Sequence, residues 1–71
     1  MQMIPVESSN VEAVAYDEAT LTLHVSFRNG SLYEYSRVPT EVFRSFLDAP
    51  SKGSFVHEVL RKGGYSYRRI R

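Results

Sequence analysis

A chain of 71 residues has room for one domain, and its core must come from a few large side chains, here four Phe and five Tyr. The absence of cysteine excludes disulfides and thiolate metal sites, and no stretch reaches the roughly 18 apolar residues of a membrane span. The net charge of +1 hides an asymmetry: residues 1 to 60 hold four basic and eight acidic groups, whereas residues 61 to 71 hold five cations and no acid.

Residues 1–10 read as an irregular lead-in, broken by Pro5 and by Ser8-Ser9-Asn10. With neither an apolar run nor a basic flank they do not resemble a signal peptide, so the expectation is a cytoplasmic protein without membrane contact. Val11 to Tyr16 predicts a first strand with Val14 and Tyr16 on one face, followed by a turn over Asp17 to Thr20 that the Asp17 side chain stabilises. Leu21 to Arg28 alternates strictly, with Leu21, Leu23, Val25 and Phe27 facing one way and Thr22, His24, Ser26 and Arg28 the other.

Asn29-Gly30 closes a hairpin in one of two registers. A two-residue loop pairs Phe27 with Leu32 and sets Tyr33 and Tyr35 beside Ser26 and His24. A three-residue loop with Gly30 as a left-handed bulge pairs Phe27 with Ser31 and moves both tyrosines to the Leu23, Val25, Phe27 face. The bulge is favoured, because the other register turns the Glu34 carboxylate toward the core without a partner.

Val38-Pro39-Thr40 predicts a helix start, with Thr40 capping the first amides. Val42, Phe43, Phe46 and Leu47 form its apolar stripe, and Ala49-Pro50 stops it. Ser54 is placed to cap a second helix with Phe55, Val56, Val59 and Leu60 inward, ended by Gly63-Gly64. Residues 63–71 form a basic-aromatic C-terminal segment in which Tyr65 to Ile70 alternates weakly enough to suggest a short edge strand. The predicted architecture is a single α+β domain over residues 1–71. It is a three-stranded antiparallel β-meander followed by two short amphipathic helices packed on one sheet face (β-β-β-α-α), with the other face solvated.

These features resemble the KTSC domain, a short module named for its occurrence at the C-terminus of some lysyl-tRNA synthetases and also found as stand-alone bacterial and phage proteins. The resemblance runs from about Ser9 to Arg69. It rests on Tyr16-Asp17, the alternation ending in Phe27, Gly30, Tyr33-x-Tyr35, Val38-Pro39 and the Phe43 helix. It continues through Ala49-x-Ser51-x-Gly53-x-Phe55 to a basic-aromatic end with Tyr65 and Arg68. His57 departs from the pattern, standing where an amide residue such as asparagine is usual. The resemblance implies no established activity; it suggests RNA binding, partly through the link to a tRNA synthetase. Tyr16, Gly30, Tyr33, Tyr35, Pro39, Ser51 and Gly53 are then motif positions with structural roles.

The nucleic-acid candidates are Arg61, Lys62, Tyr65, Tyr67, Arg68, Arg69 and Arg71. Cations that neutralise phosphates, interleaved with rings that stack, are what sequence-tolerant binding of single strands or loops requires. The same segment reads equally as a solubilising tail docked on the acidic body, with Tyr65 and Ile70 as anchors. Tyr33 and Tyr35 offer either a stacking platform or core packing, and the favoured register points to the core.

Ser51-Lys52-Gly53-Ser54 lacks the full phosphate-loop pattern and reads as an interhelix turn. His24 and His57 have no carboxylate partners at metal-ligand spacing, and Ser54 with His57 lacks an orienting acid. An enzyme is therefore not expected, nor a metal or cofactor. The expected role is an RNA-binding module for tRNA or single strands. The alternative is a protein-interaction module whose partner is another protein or a second copy of itself.

Overall fold

The structure, a computed structural model, describes residues 2–71. The elements are β1 (Ile4–Pro5), β2 (Val11–Asp17), β3 (Thr22–Phe27), β4 (Leu32–Tyr35), α1 (Thr40–Asp48), α2 (Lys52–Phe55) and β5 (Tyr67–Arg69). The last turns of α2 widen into a π-helical segment, Val56–Arg61. All five strands form one antiparallel sheet in the order β1-β2-β3-β4-β5. The α+β class is as expected, but the sheet has five strands rather than three.

Both additional strands owe their existence to pairing. Ile4 and Pro5 oppose Val14 and Ala13, so part of the lead-in becomes an edge strand. At the other edge, Tyr33, Glu34 and Tyr35 oppose Arg69, Arg68 and Tyr67. Flanking bonds extend that seam: Leu32 N–H donates to the Arg71 carbonyl (2.9 Å) and Ile70 N–H to the Leu32 carbonyl (2.7 Å).

The hairpin takes the three-residue form. Phe27 N–H donates to the Ser31 carbonyl (2.8 Å), Gly30 N–H donates back to Phe27 (3.0 Å), and Gly30 has φ +93°. Glycine meets that left-handed conformation without a Cβ penalty. Leu23 therefore opposes Tyr35 and Val25 opposes Tyr33, which puts both tyrosines on the apolar face. At the β2–β3 turn, Ala19 N–H donates to the Asp17 carboxylate (3.0 Å), the predicted Asp-stabilised turn. Leu21 ends that turn at φ +56°, a left-handed position unusual for a branched side chain, and its carbonyl accepts from Val38 N–H (2.8 Å).

The helix starts differ from the sequence reading. Pro39 is the N-cap of α1, no side chain caps that helix, and Thr40 is its first helical residue. The Pro39 carbonyl accepts from Val42 and Phe43 (3.0 and 3.1 Å). Ser51, not Ser54, caps α2 and accepts from Ser54 N–H at 3.3 Å. The Lys52 ammonium donates to the Leu47 and Ala49 carbonyls (2.9 Å each), closing the C-terminus of α1.

Val11, Val14, Leu23, Val25, Tyr35, Val38, Phe46, Val56 and Leu60 make the core between sheet and helices. The α1 stripe is narrower than its pattern suggests, since Phe46 is buried, Val42 and Phe43 are half-buried and Leu47 is exposed. The sheet's second face is less solvated than expected. Ala15 and Ser26 are buried there, short side chains lying low beside the taller His24 and Glu34. No helix among the described residues is long and apolar enough to cross a membrane.

Candidate nucleic-acid interface

Pairing in β4 and β5 decides where the basic-aromatic segment points. Tyr67 opposes Tyr35 and Arg69 opposes Tyr33, so both project on the helix side of the sheet, while Arg68 opposes Glu34 on the other side. The cluster predicted from sequence is thereby divided between two faces.

On the outer face, Arg68 Nε donates to Glu34 Oε1 at 2.9 Å, and His24 Nε2 lies 2.9 Å from Glu34 Oε2. Hydrogen bonds from His24 and then Arg68 hold the Glu34 carboxyl below its ordinary titration range. This row ties three neighbouring strands together and pairs the exposed Arg68 with Glu34 on the sheet surface. Lys62 pairs with Glu58 one helical turn earlier (3.6 Å), and Arg71 Nε donates to the Gly30 carbonyl (3.4 Å). Arg69 Nε donates to the Arg71 carbonyl, which shapes the chain end (3.1 Å). Tyr65 is half-buried against the core and anchors the segment, whereas Ile70 stays exposed.

On the helix side, a cleft of about 370 Å³ opens between the β3–β4 hairpin, β5 and α2. Four rings form its wall: Phe27 and Tyr33 meet edge to face at 5.6 Å, and Tyr67 lies 6.1 Å from Tyr33 and 5.7 Å from Tyr35. Tyr35 is buried, and burial pushes its phenol up to about 12; Tyr67 is 49% exposed. The Arg61 guanidinium sits 6.0 Å from the Tyr67 ring centre, at the outer limit of a cation–π contact. Arg28 closes the hairpin side, its Nε donating to the Ser8 carbonyl at 2.8 Å. Asn10 and His57 complete the rim, and the lining contains no carboxylate.

Local sequence explains this placement. Residues four apart share a helix face, so in Val56–Arg61 the buried Val56 and Leu60 pack on the core while His57 and Arg61 line the cleft, at whose floor Val56 also lies. A bulge between Val11 and Ala13 interrupts the β2–β3 ladder next to Asn10.

Of the seven nucleic-acid candidates, Arg61 and Tyr67 line the cleft; Lys62, Tyr65 and Arg68 are held in other contacts, and Arg69 and Arg71 sit at the chain end. In sequence Asn10 reads only as part of a breaker and Phe27 and Arg28 only as strand residues, since nothing local joins them to α2. Of the motif positions, Tyr16 stacks on Phe43 at 4.4 Å and donates to the Val38 carbonyl, Ser51 caps α2, and Tyr33, Tyr35 and Gly53 line the cleft. Ser54 Oγ engages Ser51 Oγ (3.1 Å) instead of His57. No metal-binding group of His, Asp or Glu side chains occurs among the described residues.

The KTSC domain family model matches residues 7–69. The chain belongs to the KTSC domain family. A KTSC domain protein from Yersinia pestis, solved by crystallography, superposes with a TM-score of 0.87 at 37% identity, covering 99% of this chain and 97% of that one. A protein of Tsukamurella paurometabola is 46% identical over 59 residues, 83% of this chain and 88% of its own length. A lysine–tRNA ligase of Nostoc sp. is 37% identical over 68 residues; the match takes in 96% of this chain but spans only 12% of the ligase. The KTSC domain here thus corresponds to a whole small protein in two relatives and to a minor part of a much larger one in the third.

Proposed function

We propose that this KTSC domain is a non-catalytic RNA-binding module whose contact surface is the aromatic cleft rather than the C-terminal segment alone. The carrying observation is the pairing of four aromatic rings with Arg28 and Arg61 in a cleft whose lining has no carboxylate. Rings give sequence-tolerant stacking and arginines neutralise phosphates, the two requirements of single-stranded or loop recognition. Arg69 and Arg71, which spend only Nε on backbone carbonyls, add outer phosphate contacts. Likeness to part of a lysine–tRNA ligase supports RNA, with tRNA as the first candidate.

Fluorescence anisotropy with labelled tRNA and a short single-stranded RNA, at low and moderate salt, tests this. Binding should weaken steeply with salt, and Arg61→Ala should reduce the logarithmic salt slope by about 0.7 for a single strand. Tyr67→Ala should cost about 1–3 kcal/mol of binding through lost stacking, with circular dichroism confirming the fold. Arg68→Ala should cost little, because that cation is already paired with Glu34. Salt-insensitive binding, or binding indifferent to Arg61 and Tyr67, would refute the reading.

A further inference from the structure

The RNA reading leaves open what occupies the cleft, and Asn10 bears on that. Its backbone is fixed on both sides, its N–H donating to Ser8 Oγ (3.2 Å) and its carbonyl accepting from Arg28 N–H (2.9 Å). Its carboxamide packs on Gly53: a Cβ built at that glycine would lie 2.6 Å from Asn10 Nδ2. Glycine in a helix costs up to about 1 kcal/mol relative to alanine, so the space it leaves for Asn10 is obtained against local propensity. Among the described residues no hydrogen bond uses the Asn10 side chain. The exposed carboxamide therefore brings its N–H donors and its carbonyl acceptor to the cleft rim free of protein partners, next to Arg28 and in a lining that also holds four edge-on or tilted rings and Arg61.

We propose that the cleft seats one unpaired nucleobase of the RNA, with adenine preferred, and that Asn10 reads its edge. This deepens the RNA reading and rests on it for the biological ligand. A carboxamide matches the adenine N6–H donor and N7 acceptor in a bidentate pair. The half-exposed Tyr67 ring packs on the base, and Arg61 and Arg28 take the flanking phosphate.

Size and charge select this occupant. At about 370 Å³ the cleft is near the lower end of ligand sites, which run from roughly 300 to 1,000 Å³, so it holds one nucleotide unit rather than several bases. An ammonium ligand, which aromatic cages otherwise favour, meets two arginines and no carboxylate here. A purely apolar side chain would strip water from Asn10 and both arginines without replacing their hydrogen bonds.

The test titrates the full chain, ¹⁵N-labelled, with adenosine 5′-monophosphate, cytidine 5′-monophosphate and inorganic phosphate, following amide and side-chain NMR shifts. In parallel, anisotropy compares a single-stranded RNA carrying one adenine in a uridine run with the same strand abasic at that position. Adenosine monophosphate should give saturable shifts at Asn10, Gly53 and Tyr67, tighter than the cytidine nucleotide and distinct from phosphate.

Asn10→Ala should weaken the adenine nucleotide at least about fivefold, the low end of a bidentate base contact, and leave phosphate binding unchanged. Gly53→Ala should act in the same direction by displacing the carboxamide while thermal stability holds or rises, which separates loss of reading from loss of fold.

Shifts no different from phosphate alone would overturn the inference, as would equal affinity for adenine-containing and abasic strands; in either case RNA binding itself could stand. Nucleotide binding in the cleft without binding of any RNA strand would support the base seat and refute the RNA reading.

Discussion

Tyr35 lies opposite Leu23, with Tyr33 and Tyr67 against its ring, and its side chain lines the cleft without a hydrogen-bond partner for its hydroxyl among the described residues. Burial makes the phenolate unfavourable and lifts the titration from 10 to about 12. The folded state then keeps a proton that the unfolded chain releases from pH 10 upward. Stability from this residue is fully present below pH 10 and declines as pH rises toward 12, by up to about 3 kcal/mol. Tyr35→Phe should change stability by under about 1 kcal/mol at neutral pH, since shape is kept and no bond is broken. Chemical denaturation across pH 9 to 12 should show a shallower decline in the variant; parallel curves would place the alkaline sensitivity elsewhere. The dual nature of Tyr33 and Tyr35 was legible from sequence as two alternatives, core or platform. The core alternative holds for Tyr35, which is buried, whereas Tyr33 is half-buried, and both rings line the cleft.

Strand β5 is three residues long and is held by its seam to β4 and by the Glu34–Arg68 pair. Hydrogen bonds from His24 and Arg68 lower the folded-state titration of Glu34 relative to its usual 4.5. That contribution is present above pH 4.5 and is lost as pH falls through the depressed folded value. Hydrogen exchange should therefore show the amides of Leu32, Ser36 and Ile70 losing protection on acidification ahead of those in β2 and β3. Glu34→Gln should produce the same loosening at neutral pH, by about two- to fivefold as for a surface ion pair. Uniform loss of protection across the sheet would show that β5 opens only with the whole domain. At this scale the sequence was uneven as a guide. The alternation of β3 and the glycine bulge are local signals and were readable. The edge strand β1 was not, because two residues, one of them a proline, are too short to show an alternation and pair only once β2 is in place. The Ser54 cap was misplaced for a related reason: Ser51 and Ser54 are both competent caps, and where Lys52 crosses the end of α1 fixes the start.

The nine core residues are at most 4% exposed within a single chain. Its radius of gyration, 10.7 Å, is close to the roughly 11 Å of a compact chain of this length. Exposed large apolar residues are dispersed over β1 (Ile4), the β2–β3 turn (Leu21), α1 (Leu47) and the C-terminal segment (Tyr67, Ile70), and Tyr67 belongs to the cleft. Scattered apolar side chains of this kind do not by themselves mark an interface. The sheet edges offer little to a second sheet. On β1 a two-residue strand includes a proline that donates no hydrogen bond, and on β5 adjacent arginines from two copies would face each other. Light scattering and sedimentation should therefore return the mass of one chain, 8.1 kDa, over a hundredfold concentration range, and RNA should bind at one strand per chain. A concentration-dependent dimer abolished by Ile4→Glu or Leu47→Glu would instead make self-association the role of this fold. The salt dependence of RNA binding then separates the two cases, because a dimer sealed by apolar contacts strengthens in salt whereas phosphate contacts weaken.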